Sequence, residues 1–199
     1  MISKPRPSIS NANRALALRV GIRRVWTGPV ATRAATLAAM TVSALAAMAM
    51  TVAIAGPTPE EYKAHAGGDA QIVEPGKLRI DGRKIMCGER PTVLDNTLDD
   101  YGAAYPGFLI LNPKLMNKVS TPVKLWIYSH ECGHQFRGPD EETADCFAVQ
   151  RGRRQGWLNS QGLTDICNFI SPAKGDSMHF SGSYRCEKMR QCFDDPAVR

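Results

Sequence analysis

His130-Glu131-Cys132-Gly133-His134 puts two imidazoles and a carboxylate into five consecutive residues. On a helix, residues four apart share one face, one turn apart. Both imidazoles can then bind a single tetrahedral Zn2+, with Glu131 beside the position that the metal keeps open. The chemistry this supports is hydrolysis, in which the metal activates a water and the glutamate acts as general base. Catalytic zinc usually takes three protein ligands, so one more must come from elsewhere.

The next acidic run is Asp140-Glu141-Glu142-Thr143-Ala144-Asp145. Pro139 with acids just behind it marks a helix N-terminus. Glu141 and Asp145 are again four apart, which suits one metal ligand and one carboxylate holding a ligand imidazole by its other N–H. Asp140 and Glu142 stay open as alternatives for the third ligand.

H-E-x-x-H followed by E-x-x-A-D resembles the gluzincin peptidases, in particular the CaaX-prenyl-protease type and its small bacterial relatives. The resemblance implies Glu141 as third ligand and Asp145 as the carboxylate orienting a histidine. It departs from that family in its short link, with six residues between His134 and Glu141. The rival metzincin pattern would make Asp140 the ligand, but it needs glycine at 137, where this chain has Arg137. The same peptidase type carries a histidine six residues before an arginine, matched here by His179 and Arg185. The resemblance implies that these two lie at the rim of the site. His179, Tyr184 or Arg185 there could stabilise an oxyanion. It covers roughly residues 105–192 and implies an α+β fold, with a small antiparallel sheet packed on the motif helix and further helices. The last strand before that helix, Phe108 to Leu111, is then the edge that pairs with a substrate peptide.

The elements that must position these residues are legible in outline. Ser120-Thr121 is an N-cap pair before Pro122, and an apolar lead-in from Val123 to Tyr128 predicts a helix to about Arg137. Gly138-Pro139 stops it. A second helix runs to about Gly156, a third over Trp157–Asn159 and Gln161–Ile170, and a last one from Tyr184 to Cys192. Lys77 to Met86 alternates around Asp81-Gly82, a hairpin signal. Phe108 to Leu111 reads as a buried strand, and Lys114 to Lys118 as one helical turn. Residues 56–75 read as a linker, with His65 an ordinary surface histidine; 76–199 form the metallopeptidase-like domain.

Residues 1–55 read as an export signal: a basic start, an uncharged stretch from Ala34, and Ala53-Ile54-Ala55 at its end. The alternative is a retained inner-membrane anchor. The formal charge is +6; seven of the positive charges precede residue 56, where there is no acid, and +6 less seven leaves −1 for the remainder. Nothing in that remainder suggests a nucleic-acid partner, and Arg151-Gly152-Arg153-Arg154 reads as a solvated helix end. Six cysteines, all after residue 56, argue for disulfides in a periplasmic or secreted protein. Cys132 points away from the metal face and should pack or bridge to another element. The partner expected is a peptide or protein substrate, with a membrane involved only if the N-terminal segment is retained. The alternative function is a non-catalytic protein, either disulfide-rich and zinc-binding or membrane-tethered.

Overall fold

A computed structural model describes residues 56–175 and 180–196. Residues 1–55, read above as an export signal, and His179 lie outside the described residues. The chain is α+β. In order it forms α1 (Pro59–Ala66), β1 (Gln71–Val73), β2 (Arg79–Ile80), β3 (Arg83–Lys84), β4 (Thr92–Leu94), β5 (Gly102–Tyr105), β6 (Phe108–Leu111), α2 (Pro113–Met116), α3 (Thr121–Arg137), α4 (Glu141–Arg154), α5 (Ser160–Ile170) and α6 (Gly182–Asp194).

The main sheet has the order β1-β4-β6-β5. It is mixed rather than antiparallel, because β4 and β6 run parallel while both outer pairs are antiparallel. Strand β6 is therefore interior, which corrects its expected place at the edge. The reason is in its composition: Phe-Leu-Ile-Leu has no polar position, and such a run is buried on both faces. Leu109 and Leu111 face the core beneath α3, whereas Phe108 and Ile110 face a second cluster with Tyr62, Val93 and Leu98. The edges are β1 and β5.

That second cluster explains why residues 56–75 are not a linker. Thr58 caps α1 through a capping box with Glu61. Tyr62 on α1 packs its ring 5.9 Å from Phe108 and donates its hydroxyl to Asp95 at 2.8 Å. Pro57, Pro59 and Gly67-Gly68 punctuate a folded segment; Gly67 and Gly68 take positive φ between α1 and β1. His65 is exposed, as expected.

The hairpin of β2 and β3 turns at Asp81 and Gly82, with φ of 47° and 81°, the pair of left-handed residues that such a turn requires. The Asp81 carboxylate accepts from the Thr121 hydroxyl at 2.6 Å and pairs with Lys124 at 2.9 Å. The hairpin thereby holds the first turn of α3, where Ser120 is the N-cap residue but makes no side-chain cap bond. Pro139 precedes the cap of α4 rather than lying in its first turn. The basic run at the end of α4 is only partly solvated. Arg151 donates to the Met86 carbonyl, Arg153 donates to the carbonyls of Phe193 and Asp195, and Gly152 is buried.

Among the described residues, no helix is long and apolar enough to cross a membrane. Three disulfides join Cys87 to Cys132, Cys146 to Cys192 and Cys167 to Cys186. Bridges of this kind persist in oxidising compartments. If α1 belongs to the fold, Tyr62→Phe should lower the unfolding free energy by about 1–3 kcal/mol, the worth of a buried hydrogen bond to a charged group. Urea titration reads this directly, and an unchanged midpoint would remove α1 from the cooperative unit.

Candidate metal centre

Helix α3 delivers both histidines to one face. Their Nε2 atoms stand 3.1 Å apart. Glu141, the first residue of α4, places Oε2 3.1 Å from the His130 Nε2 and Oε1 3.5 Å from the His134 Nε2. The hydrogen bonds on the far side of each ring fix what these atoms offer. His130 Nδ1 lies 2.8 Å from Asp145 Oδ1, and His134 Nδ1 lies 2.9 Å from the Gly138 carbonyl. Both partners only accept, so both Nδ1 atoms carry hydrogen and a neutral ring presents a lone pair at Nε2. Once His130 gives up its second proton, two lone pairs and a carboxylate converge on one point, where a cation can sit. Ligand atoms about 2.1 Å from a tetrahedral zinc stand roughly 3.4 Å from one another, close to the spacing found. His130, His134 and Glu141 together could hold a metal ion, and among the described residues no fourth ligand joins them.

The short link works because two helices come unusually close. A β-carbon on Gly133 would lie 3.0 Å from the Ala144 Cα and 3.2 Å from its carbonyl oxygen. Glycine there lets α4 sit against α3, so Glu141 reaches the histidines after a turn of only Gly138, Pro139 and Asp140. Gly138 takes φ of 83° at the end of α3. The other two acids are otherwise engaged. Asp140 caps α4 by accepting from the Thr143 amide at 2.7 Å. Glu142 faces outward, accepting from the Tyr184 hydroxyl at 2.9 Å, with Lys188 at 3.6 Å.

Asp145 is 1% exposed. Its second side is closed by Arg185, which donates Nε to Oδ2 at 2.7 Å and Nη2 to Oδ1 at 2.8 Å. Burial pushes the Asp145 carboxyl up, but hydrogen bonds from Arg185 and His130 outweigh it and hold the group below its ordinary value. Arg185 therefore lies behind His130, with its guanidinium over the Trp126 ring, and not at an exposed rim. Its spacing from His179 was legible, but its direction was not. Tyr184 is at the surface.

Without a metal, burial pulls the His130 imidazole down. Its bonds to Asp145 and Glu141 and the charges around it more than reverse this, to about 10. Burial and the neighbouring His130 lower His134. Glu131 is pushed up to about 7, mainly by burial and further by Glu141 and Asp100, against the pull of His130 and Arg185. Glu131 also touches the sheet: a β-carbon on Gly102 of β5 would stand 3.1 Å from its Cγ. Cys132 points away from the ligands, as its position in the motif predicted, and bridges to Cys87. Gly102, Gly133 and the inward turn of Arg185 are functional features that sequence reasoning missed. Only the small side chains opposite Glu131 and Ala144 could have hinted at the first two.

No protein-family model, curated protein or solved structure matches this chain.

Two measurements test the centre. Asp145→Asn should weaken Zn2+ binding about 10- to 100-fold, the usual effect of losing a carboxylate that orients a ligand histidine. Because His130 keeps its proton to about 10, metal must displace that proton at neutral pH. Zn2+ affinity should therefore rise with pH, about tenfold per unit near pH 7, with close to one proton released per metal. Calorimetry in buffers of different ionisation enthalpy counts that proton.

Proposed function

We propose that this protein is an exported zinc-dependent peptidase of gluzincin type. The observation that carries the proposal is Glu131: a carboxyl beside a three-ligand metal set, with a sheet edge at its back. A structural zinc site has no use for such a group, and neither has a metal-free interaction protein. The choice of zinc rests on two imidazoles and one carboxylate, a ligand set common to hydrolytic zinc enzymes.

When bound, the cation would acidify water and polarise a carbonyl. The chain's own residues do the rest. Glu131 takes a proton from the attacking water as its oxygen bonds to the peptide carbonyl carbon. The carbon–nitrogen bond then breaks, and Glu131 passes the proton to the leaving amine. Arg185 and Asp145 hold His130 in one tautomer and one orientation. Arg185 is committed to that carboxylate, so the oxyanion role passes to His179, on the strength of the resemblance alone. Substrate binding is assigned to β5 rather than β6, because β5 is an edge strand of the sheet and Gly102 at its start adjoins Glu131. An extended peptide can add to such an edge by backbone hydrogen bonds. The three disulfides support export.

Glu131→Gln should retain one Zn2+ per chain by metal analysis and lose peptide cleavage by about 10²- to 10⁴-fold, the usual worth of a general base. A zinc-loaded Gln variant cleaving at the parent rate would sink the proposal.

A further inference from the structure

The residue after the second histidine, Gln135, uses every hydrogen-bonding position of its side chain. Its Nε2 donates to the Tyr105 carbonyl at 2.6 Å and to the Phe108 carbonyl at 3.2 Å. Its Oε1 accepts from the Gly107 amide at 3.1 Å and from Arg90 Nε at 3.0 Å. An amide has two donors and two acceptor lone pairs, so none is left over and its orientation is fixed. Tyr105 and Phe108 are the closing pair of the β5–β6 hairpin, and Gly107 lies in its turn.

The grip has a fixed anchor. Arg90 bridges by backbone to Cys87, and Cys87 is bonded covalently to Cys132 on α3. Helix α3 thus holds β5 at both ends: Gln135 at Tyr105, and Glu131 with Ile127 against Gly102. Pro106 and Gly107 are exposed, and a hairpin tip of this kind frays unless something holds it.

We infer that Gln135 is a positioning residue for substrate: its amide holds the β5 edge in place beside Glu131, so that an extended peptide can pair with that edge and be bound there. This rests on the peptidase proposal above. Neither glutamate nor methionine can replace the amide. Glutamate would point acceptors at two carbonyls, and methionine keeps the volume but makes none of the four bonds.

The test compares the zinc-loaded parent chain with Gln135→Met and Gln135→Glu, on a series of blocked peptides of increasing length. For peptides long enough to pair along β5, KM should rise about tenfold with kcat within about twofold, the signature of lost binding common to ground and transition states. The effect should shrink as the peptides are shortened, with zinc content and melting temperature recorded alongside. An unchanged KM on long peptides overturns the inference, as does a loss of kcat equal at all lengths, which would mean general damage to the centre. If the Met variant fails to fold, binding of a long labelled peptide to Glu131→Gln is compared with the Glu131→Gln/Gln135→Glu double variant; equal affinities overturn the inference. A parent chain that neither cleaves nor binds peptides overturns the peptidase proposal and this inference together. A parent that cleaves, with variants indistinguishable from it, overturns the inference alone.

Discussion

A carboxylate with almost no access to solvent governs this structure. Asp145 is charged, and a buried charge without partners costs several kcal/mol. It is tolerated because Arg185 arrives from α6 with a bidentate grip and His130 arrives from α3 with a ring N–H. Three helices are therefore bound to agree on one point. Glu141 is a single turn away on the same helix, so fixing Asp145 also fixes the carboxylate that faces the histidines. Gly133 permits the approach, since any β-carbon there would press on the backbone of Ala144.

Covalent bonds reinforce the same point. Cys146 follows Asp145, Cys186 follows Arg185, and Cys132 lies between the two histidines. Each bridge holds the backbone of a residue next to one that must be placed to within a fraction of an ångström. With about 140 residues in the folded part, a hydrophobic core alone gives modest stability. The bridges let the chain spend glycine and buried charge where the centre needs them.

Local spacing carried most of the centre. Four-residue separations put His130 with His134 and Glu141 with Asp145, because helical periodicity is written in the sequence itself. The hairpin at Asp81-Gly82 was legible for the same reason, since its turn chemistry is local. What escaped was long-range. Nothing local says that β1 pairs with β4, or that β6 lies between β4 and β5, so the edge was assigned to the wrong strand. Residues 56–75 looked like a linker because proline and glycine dominate the eye, while the role of Tyr62 depends on Asp95, 33 residues away. The spacing of Arg185 was readable but not its direction, which is set by a carboxylate on another helix.

The disulfide connectivity has a consequence for how the chain matures. Cys87–Cys132 closes before any other cysteine in sequence order is needed, but Cys167–Cys186 is nested inside Cys146–Cys192. A chain oxidised strictly in order of emergence would close the first bridge correctly. It would then join Cys146 to Cys167 and Cys186 to Cys192, both wrong. In that order of oxidation the half of the molecule bearing the two histidines closes its bridge directly, while the half bearing Glu141, Asp145 and Arg185 reaches its native pairs only through thiol exchange.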